Sequence, residues 1–242
     1  MSKTYDKLWV FGDSFVTPDY CVNVKDSFWG LTAQHLDIPQ INNYSQPGNS
    51  FDTVQQLLIG SAEHINWQKD LVFIGLPPLE RITVFDNYKD TKYAGQVINT
   101  DNWLSTPVEV NCHNGLECLQ NYGNDQQLVI HSDRSWLETQ TLRTIFLLTK
   151  WLDSVNANYL ILNLSKDLDE NNHWGPSNFV LPYCKDHKNC VLFKDTYHGI
   201  NLDINKPADF EQHGWNGHHG AMGNKYFFEH SLLPRLKELN LC

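Results

Sequence analysis

The sequence predicts an α/β fold, a parallel sheet with helices on both faces, and two observations carry that expectation. Short, continuous apolar runs recur at Lys7–Phe11 (KLWVF), Leu71–Gly75 (LVFIG) and Tyr159–Leu164 (YLILNL). They have strand length and lack the polar alternation of a half-solvated strand, as expected where both faces are covered. Segments with apolar residues at helical spacing lie between them, and this alternation of strand and helix produces parallel crossovers. The 242 residues are 41% hydrophobic and 12% aromatic, enough for one sizeable core. Residues 1–242 are therefore expected to form one domain, with an irregular insertion at about 80–135.

In chain order, Lys7–Phe11 is closed by Gly12, which marks a turn. Asp26–Leu36 has apolar positions at 28, 29, 31, 33 and 36 behind a polar cap and reads as a helix. Ile41–Tyr44 reads as a short strand, and SQPGNS at Ser45–Ser50 is turn chemistry. A second helix over Asp52–Glu63 places Val54, Leu57, Leu58 and Ala62 on one face, and the strand Leu71–Gly75 follows. Residues 80–135 sustain no period and read as an insertion with some short strands. Trp136–Leu152 is the clearest helix, with Leu137, Thr141, Ile145, Leu148 and Leu152 in one stripe. The strands Tyr159–Leu164 and Cys190–Phe193 come next. A last helix starts at Ala221, with a break expected at Pro234, which cannot donate an interior hydrogen bond.

Composition excludes some functions. A formal charge of −10 without clustered Lys and Arg argues against a nucleic-acid groove. No stretch approaches the roughly 20 apolar residues of a membrane span. Asp6, Asp13 and Asp19 interrupt residues 1–20, which lack a signal-peptide pattern, so the chain is expected to start as a cytosolic product. The six cysteines include two pairs of equal spacing, CHNGLEC and CKDHKNC. That spacing exceeds the two to four residues usual between zinc ligands, so the reading is unpaired thiols on two loops, with no metal and no cofactor.

In a parallel sheet the loops after the carboxyl ends of strands form the ligand crevice. Gly12-Asp13-Ser14, Gly48-Asn49-Ser50 and Gly75-Leu76-Pro77 each follow an expected strand and should gather at one edge. Ser14 has two readings there: a helix N-cap, or a nucleophile. The second requires a base and an oxyanion site at the same edge. The base candidates lie in HGWNGHHGAMGN (213–224), just before the last helix. Its histidines His213, His218 and His219 also admit a weak metal site.

Phe11-Gly12-Asp13-Ser14-Phe15 together with Gly217-His218-His219-Gly220 before the terminal helix resembles the SGNH (GDSL-type) hydrolases. The resemblance spans almost the whole chain in block order. It implies a three-layer α/β/α sandwich with a flavodoxin-like parallel sheet, and it implies Ser14 as nucleophile. Asn43–Gly48 is similar to the second block, so the Gly48 N–H would join that of Ser14 in the oxyanion hole. The fifth block of that family reads His-Pro-x-x-x-Gly. Counting back from Gly223 assigns the base to His218, with His219 as the rival.

Two positions depart from the pattern. The acid expected ahead of the base is Asn216, an amide that can orient an imidazole but cannot offset its charge. Asp209 is the alternative acid, and a Ser14-His218 dyad is a further alternative. The third block reads GLPPLER from Gly75, without its usual side-chain amide, which leaves Asn49 or Arg81 as compensating donors. This variant block looks like those of SGNH-like proteins of tailed phages. The expected activity is hydrolysis of a carboxylic ester on a small-molecule or carbohydrate substrate, O-acetyl groups on sugar in particular. Tyr88, Tyr93, Trp103 and Tyr122 are candidates for a stacking surface or for packing of the insertion. The alternative is an SGNH-fold binding or structural protein with impaired catalysis.

Overall fold

The apolar runs pair as a five-stranded parallel sheet, with the strands side by side in the order Gln40–Asn43, Lys7–Phe11, Leu71–Leu76, Asn158–Asn163 and Cys190–Val191. The computed structural model describes residues 3–18, 23–47, 49–77, 81–86, 106–111, 134–164, 177–191 and 220–242. The sheet strands are β1 (Lys7–Phe11), β2 (Gln40–Asn43), β3 (Leu71–Leu76), β6 (Asn158–Asn163) and β7 (Cys190–Val191). Between β3 and β6, β4 (Arg81–Asp86) and β5 (Thr106–Asn111) form a separate antiparallel pair, which lies within the expected insertion.

Side-chain alternation on the strands builds two cores. Leu8 and Val10 of β1, Leu71 and Phe73 of β3, and Leu160 and Leu162 of β6 face one side. There they meet α1 (Phe28–His35) through Phe28, Trp29 and Ala33. They also meet the C-terminal helices α5 (Ala221–Phe227) and α6 (Leu233–Glu238) through Phe227 and Leu236. Trp9, Phe11, Val72, Ile74, Tyr159 and Ile161 face the other side. They are covered by α2 (Phe51–Ser61), α3 (Arg134–Ser154) and α4 (Ser177–Asp186). The result is a three-layer α/β/α sandwich with flavodoxin-like strand order, as expected.

The structure differs from expectation at four places. Asp26 belongs to a short 3₁₀ turn, Val24–Asp26, and α1 starts only at Phe28, behind its Ser27 cap. Pro234 does not break the last helix. A π-helical segment, Phe228–Leu232, joins α5 to α6, and Pro234 falls in the first turn of α6, where its missing N–H costs least. The helix α4 lies where no element was expected, and it carries Pro182, a helix breaker, inside it. Cys184 and Cys190 are not loop thiols: they lie on α4 and β7, both buried in the second core. No described helix is long and apolar enough to cross a membrane.

Chain order places a crevice. From β1 the chain adds β2 on one side and then crosses to add β3 on the other. The strand order therefore reverses between β1 and β3, and such a switch point opens a crevice beyond the carboxyl ends of the strands. Ser14 follows β1 and Pro77 follows β3, so both stand at this point.

Candidate active site

Gly12, just after β1, and Gly75, the penultimate residue of β3, lie one step beyond the pairing of Phe11 with Ile74. A Cβ on Gly12 would stand 2.4 Å from Val16 Cγ2 and 3.3 Å from the Gly75 carbonyl oxygen. A Cβ on Gly75 would stand 2.5 Å from Leu164 Cδ1 and 3.4 Å from Val16 Cγ1. The glycines are there because the space is filled. Val16, 1% exposed, folds back over both and ties the turn 13–16 to the ends of β1 and β3.

Asp13 closes that turn. Its side chain accepts the Phe15 N–H at 3.1 Å, and its carbonyl accepts the Val16 N–H at 3.2 Å. Two consecutive amides are thus taken up by one buried residue. Among the described residues the Ser14 N–H and hydroxyl take no hydrogen-bond partner, and Ser14 is 6% exposed. Ser14 does not cap an α-helix: the next one, α1, is capped by Ser27, whose Oγ accepts from Gly30 N at 2.9 Å. Ser50 caps α2 in the same way, accepting from Thr53 N at 3.3 Å. Of the three serines at such turns, the two that cap are not Ser14.

The loop after β2 is bonded to this corner. The Asn49 side-chain amide donates to the Gly12 carbonyl at 2.9 Å, and Gln46 N–H reaches the same oxygen at 3.3 Å. Asn43 donates through Nδ2 to the Val16 carbonyl at 2.7 Å. Its Oδ1 accepts Ser45 N–H at 2.9 Å and the Ser45 hydroxyl. One N–H of the Asn49 amide is therefore committed to the backbone, and any bond to an oxyanion would come from the other. Pro77, at the end of β3, is buried and brings no N–H.

The start of α5 reaches the same edge. Because β1 and β2 are parallel, α1 begins at the carboxyl edge of the sheet. Its Phe28 N–H donates to Asn224 Oδ1 at 3.0 Å, and Asn224 Nδ2 donates to the Gly220 carbonyl at 3.1 Å. Gly220 directly follows residues 213–219 in sequence, and the described chain resumes there beside the start of α1. Gly48, Asp209, His213, Asn216, His218 and His219 lie outside the described residues, as do Tyr88, Tyr93, Trp103 and Tyr122.

Three contributors escaped the sequence reading: Asp13 as closer of the turn, Asn43 as a tie between loops, and Asn224 as an anchor of α5. An Asx residue two positions before a bonded amide is a recurrent turn device, which makes Asp13 and Asn43 readable in principle. No local pattern marks Asn224, whose partner is far away in sequence. Among the described residues no group of three or more His, Cys, Asp and Glu could hold a metal ion. Burial pushes the Cys184 thiol up to about 12 and raises that of Cys190 as well, which suits core packing and not ligation.

No protein-family profile matches the sequence, and no curated protein does. Solved structures do match. A member of the lipolytic G-D-S-L family from Veillonella parvula is 11% identical, with TM-score 0.48, over 96% of this chain and 97% of its own. A psychrotrophic esterase from a Pseudoalteromonas species is 11% identical, with TM-score 0.46, over 97% and 98%. A carbohydrate esterase is 11% identical, with TM-score 0.43, over all of this chain and 70% of its own. The similarity is one of overall course at low identity.

Proposed function

We propose that the protein is an SGNH-type serine esterase. Ser14 Oγ attacks the acyl carbon of a carboxylic ester, and His218 takes its proton and returns it to the departing alcohol. The N–H groups of Ser14 and Gly48 receive the negative charge that develops on the carbonyl oxygen. Water then attacks the acyl-serine, with His218 again the base. Asn216 orients the imidazole, with Asp209 as the alternative; His219 is the rival base. The substrate class is a small-molecule or carbohydrate ester, O-acetyl sugars foremost.

One observation carries this reading. At the corner after β1 the structural work falls to Asp13, while Ser14 keeps its N–H and hydroxyl without a described partner at the switch point of the sheet. The re-entry of the chain at Gly220 on the same edge supports His218 as the base.

Hydrolysis of p-nitrophenyl acetate by wild type and Ser14→Ala tests the proposal, with a serine-directed phosphonate alongside. Turnover and labelling are expected in the wild type and absent from the variant; His218→Ala against His219→Ala then identifies the base. A wild type that neither turns over nor labels would favour the second reading, a binding protein on this fold. Pro77 supports that second reading, since the third-block position it occupies brings no donor.

A further inference from the structure

The Ser14 corner and the loop after β2 are joined by side chains, not only by backbone pairing. The backbone ladder between them runs from Tyr44 N–H on the Val10 carbonyl at 2.8 Å to Gln46 N–H on the Gly12 carbonyl at 3.3 Å. In addition, Asn43 and Asn49 reach the carbonyls of Val16 and Gly12, which stand two residues to either side of Ser14. The two asparagines also flank position 48. Asn43 is held by Ser45, and the Asn49 N–H returns to the Gln46 carbonyl at 3.3 Å. Asn49 is 3% exposed, a setting where a lost hydrogen bond is not replaced freely by water.

We infer that Asn43 and Asn49 are positioning residues, which fix the distance between Ser14 and the loop carrying Gly48 by gripping the chain on both sides of the serine. The inference rests on the esterase reading and adds to it a cause for the spacing of the oxyanion donors. Preorganised donors stabilise a transition state only when their spacing is set before the reaction. A corner whose side-chain tie is kept on one side alone could pivot about the bonds that remain, and a displacement of about 1 Å can cost about 10²-fold in rate.

Asn43→Asp and Asn49→Asp in the full chain test this, because each keeps the side chain's size and removes the donated N–H. Asn43→Asp also keeps the acceptor for Ser45. The readouts are kcat and KM for p-nitrophenyl acetate, the rate of phosphonate inactivation, and the thermal midpoint. Each variant is expected to lose about 10- to 100-fold in kcat and in inactivation rate, with KM within about twofold of wild type. The double variant should lose less than the product of the two, since both hold one geometry. If the acidic variants fail to fold, Asn43→Ala and Asn49→Ala, assayed well below their midpoints, carry the same test. Folded variants with wild-type kcat beside an active wild type would overturn the positioning role alone. A wild type without turnover or labelling would remove the esterase reading and this inference with it.

Discussion

Val16 rests on Gly12: its Cγ2 occupies the place where a Cβ on Gly12 would be, at 2.4 Å from that position. Val is short and branched, so it cannot swing its end away as a longer side chain would. This contact sets how sharply the chain turns after β1, and with it the place of Ser14.

Gly12→Ala is therefore expected to destabilise the protein by about 1–3 kcal/mol through overpacking. It should also lower esterase turnover, because the turn 13–16 must move. Val16→Ala in the same chain makes room and should recover part of both losses. Urea midpoints and kcat for the two single variants and the double would check it. An unaltered Gly12→Ala protein would mean that the corner adjusts freely.

Ser14 and Ser50 should separate by role. Ser50→Ala removes a helix cap and should cost about 1 kcal/mol. Ser14→Ala removes no described hydrogen bond and should change stability by less than about 0.5 kcal/mol while abolishing turnover. Thermal melts of the two variants beside their esterase rates make the comparison. A large stability loss for Ser14→Ala would return the serine to a structural role.

Thiol reactivity should follow burial. Thiolate is the reactive form, and burial holds Cys184 and Cys190 in the thiol form. Iodoacetamide near pH 8, followed by peptide mapping, should modify Cys242, which is only half-buried, well ahead of Cys184 and Cys190. Rapid labelling of Cys184 in the native protein would contradict its burial on α4 against α3.

Alkaline pH should weaken the fold through two phenols. Burial raises the Tyr159 pKa, helped by its 2.8 Å hydrogen bond to Asp153, and burial likewise raises that of Tyr5. Their folded values lie above the unfolded value of about 10. The stability they contribute is thus complete below about pH 10 and is lost as pH rises beyond it, where only the unfolded chain ionises readily. Urea midpoints measured from about pH 8 to about pH 11 should fall at the alkaline end, and less so in Tyr159→Phe.

Strands β1, β3 and β6 were legible because each carries a continuous apolar run, Leu8–Phe11, Leu71–Leu76 and Tyr159–Leu162, as burial on both faces requires. The Ser14 corner was legible for a related reason, since a glycine closing such a run marks where the sheet ends. Helix α4 was not, because Pro182 argues locally against the helix that its packing on α3 maintains. Pro234 misled in the opposite sense: a π turn just ahead of it shifts the register and lets the helix pass. The ties from Asn43, Asn49 and Asn224 are tertiary, and composition is silent about which distant carbonyl or amide an asparagine will meet.

The position of β1 between β2 and β3 has a consequence for synthesis on the ribosome. The strand made first ends up flanked on both sides, so residues up to Leu76 can already assemble the Ser14 corner, its Asn43 and Asn49 ties, and the covering α1 and α2. The far side of β3 stays unpaired until Asn158 is made. During that interval the nascent chain carries an open, fully apolar edge, the kind of surface that recruits chaperones or other chains. The Ser14 corner would thus be shaped early, well before residues 213–219 are made.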